Sequence, residues 1–110
     1  MLDRQKALAY FGGDEQLYDQ LLAEFLEHLE AEVHKIEAAH QAKDIATFTR
    51  EAHSLKGVSR TFGAGTLAEA AQALEALGYD GDLASAEPIL VVLQSEARRL
   101  QETYGRSSAR

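Results

Sequence analysis

The sequence predicts an all-α fold, an antiparallel up-down four-helix bundle with a short additional N-terminal helix. Three observations carry this. Apolar residues recur at i, i+3 and i+4 along most of the 110 residues, β-branched runs are few, and the single proline, Pro88, falls where a helix can begin. The segments between the periodic stretches are short, and short loops between long helices make antiparallel neighbours.

The first helix, about Asp3 to Tyr10, is short and ends at Gly12-Gly13. Asp14 then caps a long helix carrying Tyr18, Leu21, Leu22, Phe25, Leu29, Val33 and Ile36, which runs to about Ala42 and turns at Lys43-Asp44. A third helix runs from Ile45 to Phe62 and stops at Gly63, a residue suited to a left-handed cap. Thr66-Leu67-Ala68-Glu69 has capping-box spacing and is expected to start a fourth helix, with Leu67, Ala70, Ala71, Leu74 and Leu77 inward and its end at Gly78. After an Asp80-Gly81-Asp82 turn, the last helix carries Ile89, Leu90, Leu93, Ala97, Leu100 and Tyr104, with Pro88 in its first turn. The expected organisation is one domain over 1–104 and a flexible C-terminal tail over 105–110. Tyr18, Phe25, Phe48, Phe62 and Tyr104 are read as core.

Composition narrows the function. A hydrophobic share of 45% supports a core, yet no apolar run approaches the roughly 18 residues that span a bilayer, so no membrane partner is expected. The opening Met-Leu-Asp-Arg-Gln-Lys has no apolar segment after its charges, and a cytoplasmic location is expected. With no Cys there is neither a disulfide framework nor a thiolate metal site. A net charge of −7 argues against nucleic acid, because no global positive field exists to displace counterions from phosphates.

The third helix concentrates the chemistry. At about 100° per residue, Ile45, Phe48, Ala52, Leu55, Ser59 and Phe62 form its core stripe, and His53 lies on roughly the opposite side. Around His53 fall Ala46, Thr49, Arg50, Lys56, Gly57 and Arg60, three of them basic and none acidic; Glu51 points elsewhere. A neutral imidazole is nucleophilic near pH 7 and can take a phosphoryl group as a phosphoramidate. Lys56, one turn on, is placed to stabilise phosphoryl charge. Gly57 costs about 1 kcal/mol relative to Ala inside a helix, and close approach of a partner backbone would repay it. Read from residue types alone, the same three positions also fit a solvated histidine, a solvated charge and a tolerated weakness. Both readings stay open at this level.

His53-Ser54-Leu55-Lys56-Gly57, then Phe62-Gly63-Ala64, Leu67 and Leu74-Glu75, resembles the histidine-containing phosphotransfer (HPt) domains of multistep phosphorelays. Phe11-Gly12-Gly13-Asp14, followed by Leu21-Leu22 and Phe25-Leu26, is similar to the opening of that family. The resemblance implies that His53 is the phospho-acceptor, Lys56 its basic neighbour, Gly57 the position that admits the partner, and Gly63 the turn into the fourth helix. It implies response-regulator receiver domains as partners, alone or as part of a hybrid sensor histidine kinase. The HPt chain is then a phosphoryl carrier rather than an enzyme. It has no cofactor of its own, and magnesium is expected on the receiver. Arg50 and Arg60 depart from the simplest family pattern by making the site more basic than His plus Lys requires. They either steer toward an acidic receiver pocket or merely solvate the helix, and Arg50, Arg60 and Thr49 are expected to contribute to docking. Leu8, Phe11 and Leu17 would add an apolar part to that surface. A monomer is expected.

Other constellations are negative. His28, His34 and His40 are six residues apart, about 120° of rotation each, and cannot share a face; all three are read as surface residues. Glu37-Ala38-Ala39-His40 has the Glu-x-x-His form of di-metal bundles, but a second copy is absent and no metal site is expected. Two alternatives stand beside the relay reading: the phospho-accepting domain of a chemotaxis-type histidine kinase, and a non-catalytic helical adaptor. A dimerising kinase helix pair is rejected, since Gly57-Val58 stands where its proline would be.

Overall fold

The structure, a computed structural model, describes residues 2–105. The tail expected over 105–110 therefore lies outside the described residues except for Gly105. Among the described residues five α-helices run in order: α1 (Arg4–Leu8), α2 (Glu15–Gln41), α3 (Ile45–Thr61), α4 (Gly65–Asp80) and α5 (Glu87–Tyr104). Single 3₁₀ turns, Ala9–Phe11 and Leu83–Ser85, follow α1 and precede α5. No strand occurs among the described residues. None of the described helices is long and apolar enough to cross a membrane.

Aspartates begin most of these elements. Asp3, Asp14, Asp44 and Asp82 each accept a hydrogen bond from the backbone N–H three residues on, which satisfies one orphan donor of the first turn. At Asp44 the Thr47 hydroxyl donates to the second oxygen at 2.7 Å, and this pair of bonds holds the carboxyl below its ordinary pKa. Helix α4 differs from expectation. It starts at Gly65 with Ala64 as its cap residue, and the Thr66 capping box is not used. Ala64 N–H donates to the Ser59 carbonyl at 2.8 Å, so the chain turns directly from α3 into α4 and Thr66 is already helical. The expected stop at Gly78 is also displaced. The helix continues to Asp80, and Gly81 at φ +70° supplies the left-handed cap.

The core lies between α2, α3, α4 and α5. Helices α3 and α4 make the most extensive contact, and α2 packs on α3 and α5 while α4 packs on α5. Tyr18, Leu29, Ile36, Phe48, Leu55, Leu67, Leu74, Leu93 and Leu100 are fully buried. Three expectations are corrected. Leu26 is buried while Leu21 and Phe25 are half-buried, because the buried stripe of α2 is shifted around the helix. Ile45, at the first residue of α3, is 41% exposed. His40 is half-buried rather than on the surface: its Nε2–H donates to the Leu83 carbonyl at 2.9 Å and its ring lies against Phe48.

The N-terminal segment is fastened to the α3–α4 corner. Asp3 N–H donates to the Gly63 carbonyl at 2.9 Å, and Tyr18 donates its hydroxyl to the Phe62 carbonyl at 2.9 Å. Phe62 stacks on Phe25 at 4.8 Å, and Phe11 meets Tyr18 edge-on at 5.3 Å. Arg4 lies over the Tyr18 ring and pairs with Glu15 and Asp19, joining α1 to the start of α2. Leu8 and Phe11 are half-buried in this packing, whereas Leu17 is 40% exposed. This corner fixes where α3 ends, and so the register in which its middle turns face α4.

Candidate functional site around His53

The middle of α3 places His53 and Lys56 one turn apart, and α4 completes the group. Glu75 sits in the row Ala68, Ala71, Glu75, Gly78, whose small neighbours let α4 come close to α3. Its side chain is only 7% exposed, and each carboxylate oxygen has its own partner. His53 Nδ1–H donates to Oε2 at 2.6 Å, and Lys56 Nζ donates to Oε1 at 2.6 Å. The Lys56 ammonium holds the Glu75 carboxyl below the usual carboxylate range. Burial opposes that shift and the bond to His53 reinforces it.

An ionised carboxylate only accepts, so the proton shared with His53 belongs to Nδ1. That fixes the tautomer of a neutral imidazole and leaves the lone pair on Nε2. The imidazole side chain is 65% exposed, so a reagent from solution can reach it. Lys56 is 19% exposed, and its amine is engaged with Glu75 rather than standing free beside the imidazole.

The other residues singled out from the sequence lie around this group in different ways. Gly57 is exposed, and a Cβ added there meets nothing within 4 Å. No packing among the described residues accounts for the absence of a side chain. Arg50 stands 67% exposed with Nε 3.5 Å from Glu51. Arg60 donates to the Gln72 amide oxygen at 2.7 Å, which ties it across to α4. The Thr49 hydroxyl donates to the Ile45 carbonyl at 2.8 Å, and its side chain faces Gly78, where an added Cβ would sit 3.0 Å from the Thr49 Cβ. Gly63 lies at φ +78° with an added Cβ 2.9 Å from the Asp3 carbonyl carbon, so this corner has room only for glycine.

Glu75 was not identified from the sequence as a working residue. Spacing along α3 found no acid on the His53 side, because the acid arrives from another helix. A signal existed all the same. A carboxylate four residues after Ala71 and three before Gly78 stands in a close-packed row, where it needs cationic or N–H partners. Among the described residues no group of three or more His, Asp or Glu could hold a metal ion. His28 and His34 make local contacts on α2, with the Glu24 carbonyl and with Glu37.

The exposed imidazole, the part-buried ion pair beneath it and the open glycine one turn on all lie within the stretch that matches a known family. The family described as Hpt domain matches residues 20–103, from the first third of α2 almost to the end of α5. Comparison with curated proteins finds no match, and neither does comparison with solved structures. The family match covers most of the chain and includes His53, Lys56, Gly57 and Glu75, and the chain therefore belongs to the Hpt domain family, the phosphocarriers that work with receiver domains in phosphorelays.

Proposed function

We propose that this chain accepts a phosphoryl group on Nε2 of His53 from the aspartyl phosphate of one receiver domain and passes it to the aspartate of another. The observation that carries the reading is the 2.6 Å bond from His53 Nδ1–H to Glu75 on an otherwise exposed imidazole. It presents Nε2, the nitrogen that carries the lone pair in the neutral ring, to an incoming phosphorus.

The step balances without a further reactant. The Nε2 lone pair attacks phosphorus, the N–P bond forms, and the acyl phosphate P–O bond breaks to release the receiver's aspartate as a carboxylate. No proton leaves: Nδ1 keeps its hydrogen, and the ring takes the positive charge that the departing carboxylate balances. Glu75 faces that ring charge through its short bond and stabilises it as it develops. Lys56, on the same carboxylate, keeps Glu75 ionised and lies one turn from the incoming phosphoryl oxygens. Transfer to the second receiver is the reverse reaction. Gly57 leaves open the surface over which the receiver backbone passes. Arg50 and Arg60 raise the encounter rate with an acidic pocket. Magnesium belongs to the receiver, and this chain needs no cofactor of its own. The four long helices act as an antiparallel up-down bundle, in a cytoplasmic monomer.

The test uses receiver domains charged with acetyl phosphate, offered to the wild type and to His53→Gln. Acid-labile, alkali-stable phosphate on the wild type alone is expected. A folded wild type that takes no phosphate from any charged receiver overturns the relay reading. Phosphate arriving only from an ATP-bound kinase domain would replace it with the chemotaxis-type reading.

A further inference from the structure

His53 stands in the wall of a shallow depression between the first half of α3 and the last turns of α4. The depression is lined by Ile45, Thr49, Arg50, His53, Gly78 and Tyr79. Its floor is low because Gly78 has no side chain and Thr49 packs directly against that backbone. Its rim is apolar: Ile45 is 41% exposed and Tyr79 is 72% exposed. Six large hydrophobic side chains stand exposed among the described residues, and these two share one depression with the imidazole. Ile45 keeps the i−3 spacing to Phe48 that the core stripe needs, yet the core does not cover it.

We infer that the Ile45–Tyr79 depression is a docking and specificity surface for the receiver domain, extending the contact from His53 toward the start of α3 and the end of α4. This rests on the proposed phosphotransfer to His53 and names where its partner sits. The occupant follows from the chemistry. Any domain that brings an aspartyl phosphate into bonding reach of Nε2 must cover the wall to which His53 belongs. Arg50, 67% exposed on that wall of a chain with net charge −7, meets the acidic pocket around a phosphorylated aspartate. Ile45 and Tyr79 offer an apolar side chain of that partner a half-formed groove with an aromatic anchor, the kind of contact that concentrates binding energy at interfaces. Arg60, on the other side of His53, is engaged with Gln72 and does not line this surface.

Initial rates of transfer from an acetyl-phosphate-charged receiver, measured over a range of receiver concentrations, test the inference. Tyr79→Ala and Ile45→Ser are each expected to raise the half-saturating receiver concentration about tenfold and to leave the maximal rate unchanged. Val91→Ser, an exposed site on α5, serves as the control and keeps wild-type values. Both rim positions are exposed, and circular dichroism confirms that each variant is folded. Half-saturation unchanged in both rim variants overturns the docking surface while leaving phosphotransfer to His53 intact. A wild type that accepts no phosphate from any receiver overturns the function reading itself, a separate outcome seen before any variant is compared.

Discussion

Glu75 of α4 accepts a 2.6 Å hydrogen bond from His53 of α3, twenty-two residues earlier in the chain, and carries Lys56 on its other oxygen. A buried carboxylate between two cationic or N–H donors is held in place by both. Removing Glu75 leaves both donors short of a partner, and removing either donor leaves one buried carboxylate oxygen without its own. The site is therefore a positioned imidazole resting on a packed ion pair.

Glu75→Gln keeps the shape of the side chain and removes its charge. It is expected to slow phosphotransfer to His53 about tenfold or more, since stabilisation of the ring charge is lost. Slower transfer alone would also follow from a loosened helix. The distinguishing readout is the nitrogen spectrum of the imidazole: the wild type holds the Nδ1–H tautomer, and the variant gains the Nε2–H form. An unchanged tautomer would show that Glu75 does not orient the ring.

The same carboxylate sets a dependence of stability on pH. Its folded pKa lies below the ordinary value, so the unfolded chain binds the proton more tightly. Its stabilising contribution is complete above the ordinary carboxylate range and is lost as pH falls through the folded pKa, which lies below that range. In urea unfolding from pH 7 to pH 3, the gap between the wild type and Glu75→Gln should narrow as pH falls. A gap that stays constant would show that the carboxylate is not held ionised by Lys56.

Gly57 and Gly78 should respond oppositely to alanine. Gly57→Ala meets no atom and is expected to stabilise the chain by about 0.5–1 kcal/mol through helix propensity. Gly78→Ala drives its Cβ into Thr49 and is expected to destabilise by about 1–2 kcal/mol, overpacking outweighing the propensity gain. Thermal or urea unfolding of the pair checks both signs. A bulky residue at 57, Gly57→Phe, should leave the fold intact and obstruct receiver docking. Wild-type transfer in that variant would remove the argument for close approach.

Ser59 is fully buried on the inner side of α3, and its hydroxyl has no hydrogen-bond partner among the described residues. Ser59→Ala removes that unsatisfied group and adds helix propensity. It is expected to raise unfolding stability by about 1 kcal/mol with transfer unaffected. Loss of stability would mean that the hydroxyl is bonded in solution.

Much of this arrangement was legible along the chain because it depends on near neighbours. The Asp14 cap, the glycine at the left-handed position 63 and apolar spacing at 3.6 residues per turn are local properties. The same holds for His53 opposite the Phe48–Ala52–Leu55 stripe. The boundaries of α4 were misread for a physical reason. Gly78 looks like a stop by composition but is a close-packing position against Thr49, and Thr66 looks like a cap but lies past a corner closed by Ser59 and Ala64.

By itself the sequence determined the helices, the exposed side of α3, and the set of residue types that mark the Hpt family, since each follows from periodicity or from a contiguous motif. Only the tertiary structure decided that Glu75 stands under His53 and Lys56, that His40 is tied to Leu83, and that Ile45 and Tyr79 border the imidazole. Each of these joins residues on different elements. Such a meeting depends on the rotation and closeness of two packed helices, which Gly78, the Ala rows and the Gly63 corner set together and no single stretch of chain records.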